Sequence, residues 1–229
     1  MNHISEGDSS MTITISEEVR RDFPGLHVLT SRIEHVNVKK SDSKLEEFKG
    51  EVFKEVQRRY DLKSLKDRPI LRAYRDFFWN LGVDPTKIRP AAEALIRRVL
   101  RGKPLPQINT LVDAYNLASV KTEIAIATFD YDTIRGELTM RYAKKEERFL
   151  GIGMDSSIKL KGNEIVISDD EKLLAVYPYR DAEDTKVTEA TRNVLLLFCG
   201  VPGISVEKLL ETRDVTLNLV TRFCGGMIV

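Results

Sequence analysis

The segment from Asn109 to Asn116, NTLVDAYN, places Asn109, Asp113 and Asn116 at close to helical spacing among apolar neighbours. Such side chains can accept backbone N–H groups at a helix start or turn, and they can equally line a polar site. Asn109 and Asp113 are read here as satisfying backbone groups, while Asn116 stands between a structural role and a site. Further along, the run AVYPYRD ends in Arg180 and Asp181, and Thr191 adds a hydroxyl. Asp181 either serves a site or forms a structural ion pair with Arg180 or Arg141. Other chemistries fit poorly. The histidines, His3, His27 and His35, all lie in the first 35 residues, so no His/Cys cluster has metal-ligand spacing and no serine or cysteine is locally paired with histidine. No metal or cofactor is expected. Cys199 and Cys224, far apart in apolar surroundings, read as buried free thiols.

Charge narrows the field further. A net charge of +1 argues against indiscriminate coating of nucleic acid, and DNA is not an expected partner. The distribution is nevertheless uneven. Between Asp84 and Lys121 seven basic residues face three acidic ones, a local excess of +4 that includes Arg97, Arg98 and Arg101. The stretch 164–189 holds eight acidic residues against three basic ones, and only the first block suits a phosphate backbone. With 42% hydrophobic residues the chain should fold, but its longest apolar run, VLLLFCGVPGI, is broken by glycine and proline and is too short to span a membrane. MNHISEGDSS lacks the apolar stretch of a signal peptide, which leaves a cytoplasmic protein as the simplest expectation.

The elements that must position these residues are partly visible. Residues 1–10 are polar and expected to be disordered; TITI alternates as a strand does; SEEVRRDFPG reads as a short helix ended by Pro24-Gly25; residues 27–38 return to strand patterning. Residues 41–60 form an amphipathic helix on Leu45, Phe48, Val52, Val56 and Tyr60, with a solvated Glu/Lys face. A helix near 69–81 carries Phe77, Phe78 and Trp79, all read as core and not as a platform for stacking bases. Arg89-Pro90 marks the next helix start, and Ala91, Ala92, Leu95, Ile96, Val99 and Leu100 give it an apolar face that turns Arg97, Arg98 and Arg101 towards water. Gly102, Pro104 and Pro106 stop it. From 123 onward short alternating segments separated by Gly, Asn and Asp predict an antiparallel sheet that curls towards a small barrel, with Lys161-Gly162-Asn163 as a hairpin turn. Residues 188–200 and 205–226 read as helical. The expected class is therefore α+β: an antiparallel, barrel-like core surrounded by helices. Residues 11–83 would form an α/β extension, largely helical, packed on a core domain of residues 84–229.

Three stretches carry a family resemblance: RPAAEALIRRVLRGKPLPQINTLVDAYNLAS, FDYDTIRGELTMRYAKKEERF and YRDAEDTKVTEATRNVLL. From Arg89 to Gly226 the chain resembles the B3/B4 domain of the phenylalanyl-tRNA synthetase β subunit, and more closely freestanding proteins built on that domain. In the synthetase this domain is a β barrel with added helices whose editing site hydrolyses tyrosine wrongly attached to phenylalanine tRNA. The resemblance implies tRNA, at its aminoacylated 3′ end, as partner and aminoacyl-tRNA deacylation as the activity; synthetase activity itself is not implied. VDAYN resembles a segment whose final asparagine lines the editing pocket, which points to Asn116. Ala127 occupies the position of the synthetase's editing histidine, and AVYPYRD replaces a glycine-rich run.

Deacylation cleaves an activated ester and needs a positioned water and support for the oxyanion, not necessarily a covalent nucleophile. On that reading Asn116, Asp181 and Thr191 are the catalytic candidates. Arg180, Arg141, Arg97, Arg98 and Arg101 are candidates for holding substrate and RNA phosphates. A non-catalytic RNA-binding module, or a pocket for a free amino acid or metabolite, are the rival readings.

Overall fold

The computed structural model describes residues 12–229, so the expectation of disorder over residues 1–10 lies outside the described residues. In chain order the elements are β1 (Ile13–Ile15), α1 (Glu17–Asp22), β2 (Val28–Glu34), α2 (Ser43–Arg59), α3 (Pro69–Asn80), α4 (Ala91–Leu100), α5 (Thr110–Thr122), β3 (Ala125–Asp130), β4 (Leu138–Tyr142), β5 (Arg148–Phe149), β6 (Ile158–Lys159), β7 (Ile165–Ser168), β8 (Leu173–Val176), β9 (Arg180–Asp181), β10 (Val194–Cys199), α6 (Val206–Cys224) and β11 (Met227–Ile228).

The strands form three open sheets ordered β1-β4-β7-β8-β9, β11-β2-β10-β3 and β5-β6. The fold is α+β, as the sequence suggests, but the expected barrel is not closed among the described residues. Pairing is antiparallel except that β1 runs parallel to β4. β1 and β2, both from within 11–83, are thus hydrogen-bonded into the two larger sheets, and one hydrophobic core runs from Val19 to Cys224. Gly162 does adopt a positive φ of 99°, yet the strands on either side of it, β6 and β7, belong to different sheets and make no hairpin.

The largest correction concerns residues 194–199, which form the strand β10 and not a helix. β10 lies between β2 and β3, and all six of its residues are buried. A strand covered on both faces has no reason to alternate, so VLLLFC looks the same as a buried helical segment. The stretch after Ser205 is helical as expected and forms one helix, α6, whose N-cap is the Ser205 hydroxyl and whose end is Gly225 at φ 65°. Trp79 is the second correction: Phe77 and Phe78 are buried, but Trp79 is 54% exposed. Successive helix residues are about 100° apart, so three aromatics in a row cannot all face one core.

Two tyrosines tie the helical layer and the larger sheet to the β10–β3 pair. The Tyr74 hydroxyl of α3 accepts the Ala125 N–H at 3.0 Å and donates to the Cys199 carbonyl, while the Tyr177 hydroxyl donates to the Gly200 carbonyl. Both tyrosines are almost wholly buried. A Cβ on Gly200 would lie 2.3 Å from the His27 carbonyl oxygen, so only glycine allows the end of β10 to approach β2 this closely.

Candidate functional site

α5 begins with Asn109, whose side-chain oxygen accepts the Val112 N–H at 2.9 Å. Asp113 accepts the Ile108 N–H at 3.2 Å and the Lys49 ammonium at 2.6 Å, and both ionic side chains of that pair are buried. The polar residues of the motif thereby separate: two hold the helix start and lock it to α2. From Thr110 to Val120 only Tyr115 and Asn116 are partly exposed. Asn116 has no hydrogen-bond partner among the described residues and faces a cleft of ≈ 570 Å³.

That cleft is lined by Lys87, Arg89, Arg97, Arg98, Arg101 and Lys103, together with Ala91, Ala94, Leu95, Pro106 and Asn116. Six cations and no carboxylate line it. α4 supplies the middle of the row, because its apolar stripe of Ala92, Ile96 and Val99 is buried and its charged side faces outward. Arg98 and Arg101 are exposed as expected, and Arg98 donates to the Pro104 carbonyl, pinning the loop that follows α4. Arg97 departs from expectation. Its side chain is 15% exposed and donates to Glu93 at 2.7 Å; Glu93, fully buried, also accepts from Arg75 of α3 at 3.1 Å. A buried carboxylate held between two guanidiniums fixes α4 against α3 and leaves Arg97 with less charge to offer than its neighbours. Arg89, Arg101 and Lys103 make no ion pair among the described residues.

Next to the cleft lies a second, smaller cavity of ≈ 80 Å³, lined by Ala91, Ala125, Ile126, Ala127, Pro178, Tyr179, Asp181 and Cys199. Ala91, on the exposed first turn of α4, lines both spaces, so the two adjoin there. Asp181 is half-buried and forms no salt bridge among the described residues. Burial pushes its carboxyl up to about 7, although the Thr128 N–H and the charge of Arg180 act in the opposite direction. Its charge in turn raises the nearby phenol of Tyr115 above the ordinary range, after burial, and contributes likewise to the raised thiol of Cys199. Cys199 and Cys224 are free and buried.

The remaining candidates lie elsewhere. Neither expected partner reaches the carboxylate of Asp181: Arg141 forms a two-pronged pair with Glu147 at 3.0 and 2.8 Å, and Arg180 donates to the Ile152 carbonyl at 3.0 Å. Thr191 is buried, donates to Asp130 at 2.6 Å and accepts the Thr188 N–H at 2.9 Å, which closes a turn before β10. Arg141, Arg180 and Thr191 therefore line neither space. Lys87, Arg89 and Lys103 belong to the basic block visible in sequence and Tyr179 to the run AVYPYRD, whereas Ala91 and Cys199 carry no motif that would mark them. Among the described residues, no helix is long and apolar enough to cross a membrane.

Comparison with known proteins places this arrangement. A model of the B3/4 domain matches residues 73–225. The phenylalanine–tRNA ligase beta subunit of Symbiobacterium thermophilum is 34% identical over 147 residues, covering 62% of this chain and 16% of the relative. That of Fusobacterium nucleatum is 32% identical over 127 residues, 55% of this chain and 15% of the relative. The chain thus spans only about a sixth of these curated relatives. Among solved structures, an N-terminal fragment of the phenylalanyl-tRNA synthetase beta subunit from Pyrococcus horikoshii aligns with the whole chain and 53% of the fragment at TM-score 0.53 and 16% identity, a likeness of fold.

Proposed function

Because the chain belongs to the B3/4 domain family, we propose that it binds the aminoacylated 3′ end of a tRNA and hydrolyses a misacylated ester there, acting in trans in the cytoplasm. One observation carries this reading: a six-cation cleft and a cavity holding an unpaired carboxylate adjoin at Ala91. An aminoacyl-tRNA end has the complementary charges, phosphates on the RNA and an ammonium on the amino acid. Arg98, Arg101, Arg89 and Lys103 suit the phosphates; Arg97, engaged by Glu93, contributes less. The cations repel the ammonium, which is drawn to Asp181 instead.

On this reading Asp181 holds the α-ammonium and fixes the scissile ester near the junction. Asn116 faces the cleft and orients either the ribose end or the attacking water by hydrogen bonding. The water's oxygen attacks the ester carbonyl, the ribose oxygen leaves with a proton, and free amino acid and tRNA result. No covalent enzyme intermediate is required.

A second reading is a tRNA-binding module without catalysis, favoured by Ala127, which brings no acid–base group to the cavity wall. One experiment separates the two. Purified protein is incubated with a panel of charged tRNAs that includes tyrosylated phenylalanine tRNA, and deacylation above the uncatalysed rate is expected on at least one. Deacylation on none, with tRNA still bound at low salt and released as salt rises, would leave only the binding module.

A further inference from the structure

We infer that the aminoacyl group accepted by this protein is small and aliphatic, no bulkier than that of alanine, serine or threonine, and that the Ala91–Asp181 cavity excludes an aromatic side chain. This inference rests on the reading that the ammonium of an aminoacyl ester is drawn to Asp181.

Size decides the matter. The cavity holds ≈ 80 Å³, whereas an apolar protein cavity that accommodates benzene measures about 150 Å³. A phenyl or phenol ring therefore needs roughly twice the space, before the ammonium and Cα are counted.

The walls cannot readily retreat. Ala125 and Ala127 are carried by β3, which is paired along its length with the fully buried β10. The Tyr74 hydroxyl bridges the Ala125 N–H and the Cys199 carbonyl, pinning the two strands where they face the cavity. Tyr179, also in the wall, packs edge-on against Phe78 with ring centroids 5.8 Å apart, and Phe78 is itself fully buried in α3. Enlarging the space for a ring on these two sides means separating paired strands or breaking that aromatic contact. A small pocket cannot strongly reject a still smaller group, so the selection operates against bulk alone.

The test uses the intact chain and tRNAs charged with alanine, serine, threonine, leucine, phenylalanine and tyrosine. Alanyl and seryl esters are expected to be hydrolysed at least tenfold faster than tyrosyl or phenylalanyl esters, relative to the uncatalysed rates. Ala127→Leu fills the cavity and should abolish hydrolysis of the small esters while tRNA affinity stays within about twofold. Ala91→Leu, on an exposed helix turn, narrows the same passage without disturbing the core and should act in the same direction. A tyrosyl ester cleaved as fast as an alanyl ester would overturn the inference and leave the deacylase reading standing. If wild-type protein cleaves no ester, the deacylase reading fails, and binding of 3′-alanylamino- and 3′-tyrosylamino-deoxyadenosine decides the inference. Tighter alanyl binding supports it; equal or weaker alanyl binding overturns it.

Discussion

The two adjoining spaces of this protein are built on opposite principles. The cleft is open, large and lined by long cationic side chains from α4 and from the loops before and after it. The cavity is small and made from strand backbone, alanine methyls and one carboxylate. Long cationic side chains bind a phosphate chain without demanding one geometry, which suits affinity for any tRNA. Short side chains on paired strands have almost no freedom, which suits discrimination among amino acids. Affinity and selection should therefore be separable by mutation.

The largest expected effect removes the buried ion pair that anchors α5, the helix that carries Asn116 into the cleft. Lys49→Met leaves the buried carboxylate of Asp113 without its cation, at a cost of about 3–5 kcal/mol. Thermal or denaturant unfolding reads this directly, and the double variant Lys49→Met, Asp113→Asn should lose much less than the sum of the single changes. Equal losses would mean that the pair does not organise the site.

Next comes the cleft alone. The triple variant Arg89→Ala, Arg98→Ala, Arg101→Ala should weaken tRNA binding on the order of 100-fold at low salt and reduce the salt slope of log K by about 2–3. Circular dichroism and melting temperature should hardly change, since none of the three side chains is buried. Unchanged tRNA affinity would move the RNA to another face.

A smaller effect belongs to the cavity. The carboxyl of Asp181 is held at about 7, above an ordinary aspartate, so it costs stability as pH rises from about 4 to 7 and the full cost persists above. Asp181→Asn should thus be more stable than wild type at pH 8, on the order of 1–3 kcal/mol, with the difference shrinking towards pH 4. Enzyme-dependent deacylation should rise through pH 7 in wild type, as the carboxylate that holds the ammonium forms, and lose that inflection in the variant. Tyr115, Tyr179, Cys199 and Arg180 are ionisable groups near this carboxyl, and the first three remain neutral across that range.

The smallest effects should come from residues outside both spaces. Arg180→Ala removes a bond to the Ile152 carbonyl and a weak charge contribution to Asp181 from an exposed side chain, and it should alter tRNA affinity and stability by no more than about 0.5 kcal/mol. A tenfold loss of affinity would extend the RNA surface beyond the cleft.

Much of this was legible in the sequence, for identifiable reasons. The backbone-capping roles of Asn109 and Asp113 follow from side-chain chemistry at helical spacing, whereas the Lys49 partner of Asp113 arrives through tertiary packing. The basic character of α4 and its loop was plain from local charge. Arg97 was not, because its partner Glu93 is fixed by Arg75, which arrives from α3 through tertiary packing. β10 was misread because a strand buried on both faces loses the period that identifies strands. Ala91 was invisible: an alanine signals nothing by its chemistry, and its importance lies only in where α4 meets the β3 edge. Sequence pattern reports what residues can do locally, and the junction of two spaces is not a local property.

The most direct test of the account is a crystal structure of the protein with a CCA trinucleotide ending in a non-hydrolysable 3′-alanylamino group. The account predicts the phosphates against Arg98 and Arg101 and the alanyl ammonium within hydrogen-bonding distance of Asp181. An alanyl group bound away from Asp181, with the cavity beside Ala127 left empty, would contradict it.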